Sequence, residues 1–326
     1  MALPKGRLAV VAQWVIAAAV IGFAARALAR QWSDVAPALR GLDPDWRRIG
    51  ASGVIVLATY VLLIEAWRAT LSVWSESLSF GTAARIWFVS NLGKYVPGKV
   101  WQIAAMGTMA QKAGVSGAAA IGSSLIVNLV SIIAGFAVIA GTSAGKVAEA
   151  VGARDSGLAP HTAETVVVAI AIAGGVALLL APVAVPRLAV LAGRVTGRPV
   201  PIPSVPARAI WITAGATAAA WVLYGIAFSL FARGVSPRAT GNAPSYIAVY
   251  TGSYLAGYLA LFAPGGIGVR EGVLVLAMPP FGLASAADAA VIAVTSRLWL
   301  TVLEIVPGLL LLGRRSLNRN TSNDPH

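Results

Sequence analysis

The sequence predicts an all-α integral membrane protein: a helical bundle of about six to eight membrane segments, with two re-entrant broken-helix hairpins arranged as an inverted repeat. Three observations predict it. Only 11% of the 326 residues are charged against 58% hydrophobic, and mean hydropathy is +0.78. A water-soluble chain needs about 25% charged residues to solvate its surface, so this surface faces lipid. Uncharged runs long enough to cross a bilayer recur along the whole chain, and two clusters of Pro and Gly interrupt them at related places. The chain therefore reads as one polytopic membrane domain over residues 1–326.

The elements follow in order. Residues 8–25 are uncharged, flanked by Lys5 and Arg7 before and by Arg26 and Arg30 after. That run exceeds the ~7–15 residues of a signal-peptide core, so it is read as an uncleaved first helix, although Ala27-Leu28-Ala29 has the form of a cleavage site. Further apolar runs cover 49–64 (continuing to about Trp74), 113–145, 165–186, 209–232, 239–269 and, with isolated charges, 272–313. Most exceed the ~18 residues a spanning helix requires.

Two segments break this pattern. Residues 86–112 contain Gly93-Lys94-Tyr95-Val96-Pro97-Gly98-Lys99, and the run near Phe262 contains Ala263-Pro264-Gly265-Gly266-Ile267-Gly268-Val269-Arg270-Glu271. Proline removes a helical hydrogen bond and glycine disfavours helix, so each cluster ends its helix. Non-helical backbone at membrane depth survives only where protein buries it or water reaches it. Pro97-Gly98 and Pro264-Gly265 stand 167 residues apart, and Gly114-Val115-Ser116 and Gly282-Leu283-Ala284 keep nearly that interval at 168. The chain is therefore read as an internal repeat, 82–143 against 243–313.

Loop charge sets orientation. Arg187, Arg194, Arg198 and Arg208 fill one loop without an acid, and Arg314, Arg315 and Arg319 lie in the tail, residues 314–326, read as disordered. Both are expected in the cytoplasm, whereas the loop 146–164 balances Lys146 and Arg154 against Glu149, Asp155 and Glu164 and fits the outside. About six crossings with both termini inside satisfy these three loops. Residues 26–48 and the Arg233/Arg238 loop, basic yet outside in this scheme, fit it less well. Three helices separate the hairpins, which therefore enter from opposite faces, an arrangement that in transporters marks the binding site.

Several function classes are excluded. With no cysteine and only His161 and His326, both in polar stretches, no thiolate or imidazole metal site is expected and no cofactor is assigned. The net charge of +13 lacks a soluble basic face to serve nucleic acid, and the positive-inside rule accounts for it. Gly93 to Lys99 satisfies G-x-x-x-x-G-K, but Val100 replaces the Ser/Thr that would hold magnesium, so no nucleotide site is expected.

Ionisable groups inside apolar context carry the remaining signal: Lys94, Lys99, Arg270, Glu271, Arg297 and Glu304. Each costs roughly 2.5–3.5 kcal/mol at a helix centre, so each needs a polar cavity or a partner. Arg297 and Glu304 lie seven residues apart, on one face of the last helix. The functional reading is a basic pocket for a phosphate head group built from Lys94, Lys99, Arg270 and Arg297, with Glu271 or Glu304 as charge balance or proton carrier. Arginine's fork suits phosphate oxygens, and helix ends at the breaks add N–H donors. The plainer reading has the lysines snorkelling to the interface and the other four forming structural ion pairs. Trp14, Trp32, Trp46, Trp67, Trp74, Trp87, Trp211 and Trp299 are assigned to the interfacial belt. Tyr95 and Trp101, beside the Pro97-Gly98 break, are lipid-contact candidates. Gln102, Pro264, Gly265 and Gly266 complete the candidate set with Asn128, for which an interhelical bond and a ligand contact weigh equally. Gly141-x-x-x-Gly145 reads as ordinary close packing. No catalytic residue is assigned.

Gly93 through Gln102, Gly114-Val115-Ser116 and Ala263 through Gly272 together resemble the flippase-like transmembrane domain shared by lysylphosphatidylglycerol synthases and related stand-alone membrane proteins. Glu65-Ala66-Trp67-Arg68 is similar to that family's Trp-Arg pair, and the resemblance spans roughly residues 8–312. It implies a plasma-membrane protein of a bacterium, or an archaeal counterpart, that moves or handles lipids with modified head groups, such as aminoacylated phosphatidylglycerol or polyprenyl-linked sugars. Met106 and Asn128 stand where many relatives place an Arg and a Glu. The sequence ends at His326 without the cytosolic acyltransferase domain, so the synthase reaction is not expected. The expected function is a flippase or transporter that moves a phosphate-bearing lipid, an aminoacyl phospholipid or a polyprenyl-linked glycan precursor, by alternating access. Its partners would be anionic membrane lipids and a lipid-modifying synthase or glycosyltransferase. The alternatives are a membrane-embedded subunit of a lipid-linked glycosyltransferase or other lipid-modifying enzyme, and a scaffold that recruits a synthase.

Overall fold

The computed structural model describes residues 43–95, 100–152, 207–260 and 263–320, with isolated helical positions between 165 and 187. All regular structure among these residues is helical. In chain order the helices are α1 (Trp46–Ser72), α2 (Phe80–Asn91), α3 (Val100–Lys112), α4 (Gly117–Gly152), α5 (Ala207–Val235), α6 (Ala243–Leu259), α7 (Val269–Ala277) and α8 (Ala286–Asn320). Short 3₁₀ turns, Leu92–Tyr95 and Pro264–Gly266, occupy the two breaks. Four stretches are long and apolar enough to cross a membrane: Trp46–Ser72, Gly122–Ser143, Ala207–Val235 and Ala286–Leu311. The expected span at 8–25 lies outside the described residues. At 165–186 the described positions are helical, and Val168, Ile172, Val176, Leu180 and Val183 are exposed at three- and four-residue spacing, a single outward stripe. A Cβ on Gly174 would stand 2.6 Å from Ile133 of α4, so this segment packs closely on α4.

Helices α1 and α5 form an antiparallel pair. At one end the Asp45 N–H donates to the Gly234 carbonyl at 2.8 Å; at the other, the Thr70 and Thr213 hydroxyls bond each other at 3.0 Å. Lipid tails are as apolar as leucine, so small residues and interhelical hydrogen bonds drive association inside a membrane. Ser52 donates to the Ala227 carbonyl accordingly, and Gly225 lies against Ile247 of α6. Trp67 corrects its belt assignment. It is fully buried, its indole N–H held by Ser123 Oγ at 3.0 Å, because α4 covers the face of α1 that carries it. Its neighbour Arg68 pairs with Glu65 at 2.6 Å and ties the Leu78 carbonyl ahead of α2 at 2.8 Å.

The two broken regions share one construction. Ser79 caps α2 by accepting from Thr82 N–H, and Asn242 caps α6 by accepting from Ser245 N–H. After each break the second arm closes on a left-handed glycine, Gly114 (φ 97°) or Gly282 (φ 68°). The next N–H then reaches back five residues, Val115 to Ala110 at 3.1 Å and Leu283 to Met278 at 2.9 Å, which satisfies an otherwise orphaned carbonyl. Ser116 and Ser285 cap the long helices α4 and α8.

Each hairpin begins and ends at one end of the bundle. Glu76, ahead of α2, accepts from Ser116 N–H at 2.9 Å; Thr240, ahead of α6, donates to the Gly282 and Leu283 carbonyls. The loop holding Glu76 follows α1 and the loop holding Thr240 follows α5, so the antiparallel pair places these ends opposite. The 3₁₀ turns contact each other, α4 packs on α3 and α6, and α8 packs on α7 and α2. Each first arm therefore rests on the long helix that follows the other hairpin. Two local readings change. The run 239–269 breaks ahead of Pro264 as expected, but the run 272–313 also divides, since α7 stops at Ala277 and α8 starts only at Ala286. Gly141 and Gly145 meet no described atom within 4 Å of a built Cβ, and α4 kinks between them at the non-helical Ser143.

Candidate functional site

Where the two breaks meet, the bundle encloses a cavity of about 150 Å³ lined by residues from all eight helices. Arg270, the second residue of α7, projects into it and is 6% exposed. Its guanidinium carbon lies 4.9 Å from the Tyr250 ring centre and 5.1 Å from that of Tyr254, a cation over two aromatic faces. The Nη2 of Arg270 is buried and has no hydrogen-bond partner. An unpaired buried donor on a charged group is costly, and its position inside a cavity suits an acceptor that arrives from outside.

Glycine makes this placement achievable. Gly265, Gly266 and Gly268 hold φ of 59°, 70° and 83°, in the left-handed region where a side chain is strained. A Cβ on Gly266 would approach the backbone of Gly257 to 2.9 Å, and one on Gly257 would crowd the Arg270 Cβ at 3.2 Å. Glu271 and Arg297 fasten the turn. Glu271 Oε2 accepts from Gly268 N–H at 2.6 Å, capping α7, and its Oε1 lies 3.7 Å from Arg297 Nη1. Arg297 Nη2 donates to the Gly265 carbonyl at 2.9 Å. Glu304, 7% exposed, accepts from Tyr60 OH at 3.2 Å on the same cavity wall.

The first hairpin contributes neutral groups. Gln102 Nε2 donates to Asn91 Oδ1 at 2.6 Å. On α4, Asn128 donates to the Ser124 carbonyl at 2.8 Å and accepts from Tyr258 OH at 2.9 Å. The Trp87 indole N–H is buried at the cavity with no acceptor.

The structure thus brings Gln102, Asn128, Gly265, Arg270, Arg297 and Glu304 to one cavity, with Glu271 and Gly266 bracing it from behind. Trp101 does not line it and is 55% exposed. The backbones of Lys94, Tyr95 and Pro264 belong to the 3₁₀ turns, while their side chains, and all of Pro97, Gly98 and Lys99, lie outside the described residues. Sequence reasoning passed over most of the aromatic wall, Tyr60, Tyr224, Tyr250, Tyr254 and Tyr258 with Trp221, and assigned its remaining member, Trp87, to the interfacial belt, whereas Trp87 lines the cavity. Their rings are in contact, Tyr224 to Tyr250 at 6.0 Å and Trp221 to Tyr254 at 5.3 Å. A signal existed on α6, where Tyr246, Tyr250, Tyr254 and Tyr258 recur every four residues and so share a helix face. Among the described residues no three Asp, Glu or His side chains gather to hold a metal.

Fold and site together define a multi-pass α-helical membrane protein with a polar, aromatic-walled cavity at the junction of two broken helices. The chain belongs to the family described as the lysylphosphatidylglycerol synthase TM region, which matches residues 10–308. No individually curated protein matches it. Membership assigns the protein a role connected with membrane lipids.

Proposed function

We propose that the protein is a lipid flippase or transporter of the plasma membrane that takes a phosphate-bearing head group, of an aminoacyl phospholipid or a polyprenyl-linked glycan precursor, into the cavity and releases it at the other face. The observation that carries this reading is Arg270: buried, held over the rings of Tyr250 and Tyr254, and holding an N–H with no protein acceptor. A phosphate oxygen completes that donor, and a charge-assisted bond in a low-dielectric site is among the stronger single contacts available.

The architecture supports alternating exposure. Two helix–turn–helix elements reach the cavity from opposite ends of the bundle, and their shared caps support an inverted repeat of 82–143 against 243–313, with both hairpins re-entrant. A repeat of opposite orientation supplies two equivalent gates, so loosening one hairpin against the other's long helix opens the cavity to one side. The Arg-rich loop 187–208 leads into the end of α5 that adjoins the Glu76 loop, and this supports a reading in which that end and both termini are cytoplasmic.

Translocation of a fluorescent anionic lipid by the full chain in proteoliposomes, read by its accessibility to an impermeant quencher, tests the proposal. Arg270→Gln is expected to reduce the protein-dependent rate to that of empty vesicles. An unchanged rate removes Arg270 from the site, and turnover of a donor sugar by the purified protein assigns it to lipid-linked glycosyl transfer instead.

A further inference from the structure

The hydrogen-bonding groups left over inside the cavity specify more than a phosphate. Asn128 uses one N–H and one acceptor position on protein partners, which leaves one of each. Gln102 spends one N–H on Asn91, so its carbonyl oxygen, its second N–H and the Asn91 amide N–H groups stay available. Arg270 Nη2 and Trp87 Nε1 add buried donors that need an acceptor, while the Glu304 carboxylate and the Ser90, Ser131 and Thr217 hydroxyls add acceptor positions, so the set is mixed. An ammonium head group supplies only donors and would leave these N–H groups unsatisfied in a buried site. Hydroxyl groups both donate and accept and match the mixed set.

Aromatic faces make a second, independent argument. The rings on α5 and α6 present extended π surfaces, whose negative faces attract the weakly positive C–H bonds of a saturated ring. Size adds a third observation: about 150 Å³ accommodates roughly one six-membered ring.

Resting on the phosphate-lipid reading above, we infer that the cavity selects a head group made of a single six-membered polyhydroxylated ring joined to phosphate, a monosaccharide or cyclitol phosphate, with Arg270 on the phosphate and Asn128 and Gln102 on ring hydroxyls. Phosphate selectivity and ring selectivity then reside on different helices and separate by mutation.

The test is competitive lipid retention by the full chain in phosphatidylcholine nanodiscs, measured by native mass spectrometry with phosphatidylinositol, phosphatidylglycerol and phosphatidylethanolamine of matched acyl chains. Phosphatidylinositol is expected to be retained about tenfold better than phosphatidylglycerol, the equivalent of one or two hydrogen bonds. Asn128→Ala and, independently on another helix, Gln102→Leu are expected to collapse that ratio toward one, while Arg270→Gln weakens both lipids in proportion. Competition by soluble myo-inositol 1-phosphate would support the same ring-phosphate chemistry with a free ligand as its source. Equal or better retention of phosphatidylglycerol or phosphatidylethanolamine, still dependent on Arg270, overturns the ring assignment and leaves the phosphate site standing. Failure to retain any anionic lipid overturns both.

Discussion

The two hairpins share their caps, yet their breaks are held by different chemistry. In the first, a neutral amide pair, Gln102 on Asn91, joins the arms across the turn, and a Cβ on Gly93 would lie 3.0 Å from the Gln102 nitrogen. In the second, a buried carboxylate and a half-buried guanidinium do the equivalent work, Glu271 on the α7 amide end and Arg297 on the Gly265 carbonyl. A neutral hydrogen bond contributes about 0.5–1.5 kcal/mol net, whereas removing one member of a buried ion pair costs about 3–5 kcal/mol. One hairpin is fastened firmly around the buried Arg270, and the other is the cheaper to move.

The sharpest way to break this comparison is to unfasten each hairpin in turn. Arg297→Met leaves Glu271 buried beside an untethered turn, and a loss of about 3–5 kcal/mol is expected in reversible unfolding in mixed micelles. Gln102→Met in the first hairpin is expected to cost only about 1 kcal/mol. Equal losses would show that the ionic clamp adds nothing beyond a neutral bond.

Glycine substitution gives an intermediate effect. Gly266→Ala forces a Cβ into the Gly257 backbone at a left-handed position, which combines strain with overpacking, about 2–5 kcal/mol together. Gly93→Ala meets a comparably close backbone without the left-handed φ, so about 1–3 kcal/mol is expected. Thermal denaturation of both variants side by side checks the order.

Acid separates the hairpins most gently. The Glu76 carboxylate accepts the Ser116 N–H, which holds its pKa below the usual carboxylate range. A depressed pKa means that this tie is present at neutral pH, above the unfolded-state value, and is lost as pH falls through the lower folded-state value. The matching tie of the second hairpin runs from Thr240 to carbonyl oxygens and does not titrate in that range. Amide hydrogen exchange, corrected for its intrinsic pH dependence, is therefore expected to lose protection at Ser116 in acid while Thr240, whose N–H donates to the Leu283 carbonyl, keeps its own. Glu76→Gln should abolish the difference.

Much of this contrast is legible in the residues. Two Pro-Gly clusters locate the breaks because no helix continues through them, and Gly114 and Gly282 mark matching turns because both need a left-handed backbone. Arg270, Glu271, Arg297 and Glu304 stand out because charge in apolar context requires a partner. Their division of labour does not follow from sequence: Glu271 and Arg297 tie backbone together, while Arg270 keeps a donor in reserve.

The tyrosine spacing on α6 marks a shared face, but that this face walls a cavity, and the full burial of Trp67, depend on tertiary structure. In a soluble protein, hydropathy separates the inward face of a helix from the outward one. A membrane helix is apolar on both, toward lipid and toward its neighbours, so periodicity does not tell which tyrosine or tryptophan faces a cavity. Composition and punctuation along the chain determined that it spans a membrane and where it breaks. Packing of the described helices determined which side chains converge, because the cavity belongs to none of them individually and exists only where hairpins from opposite ends of the bundle meet.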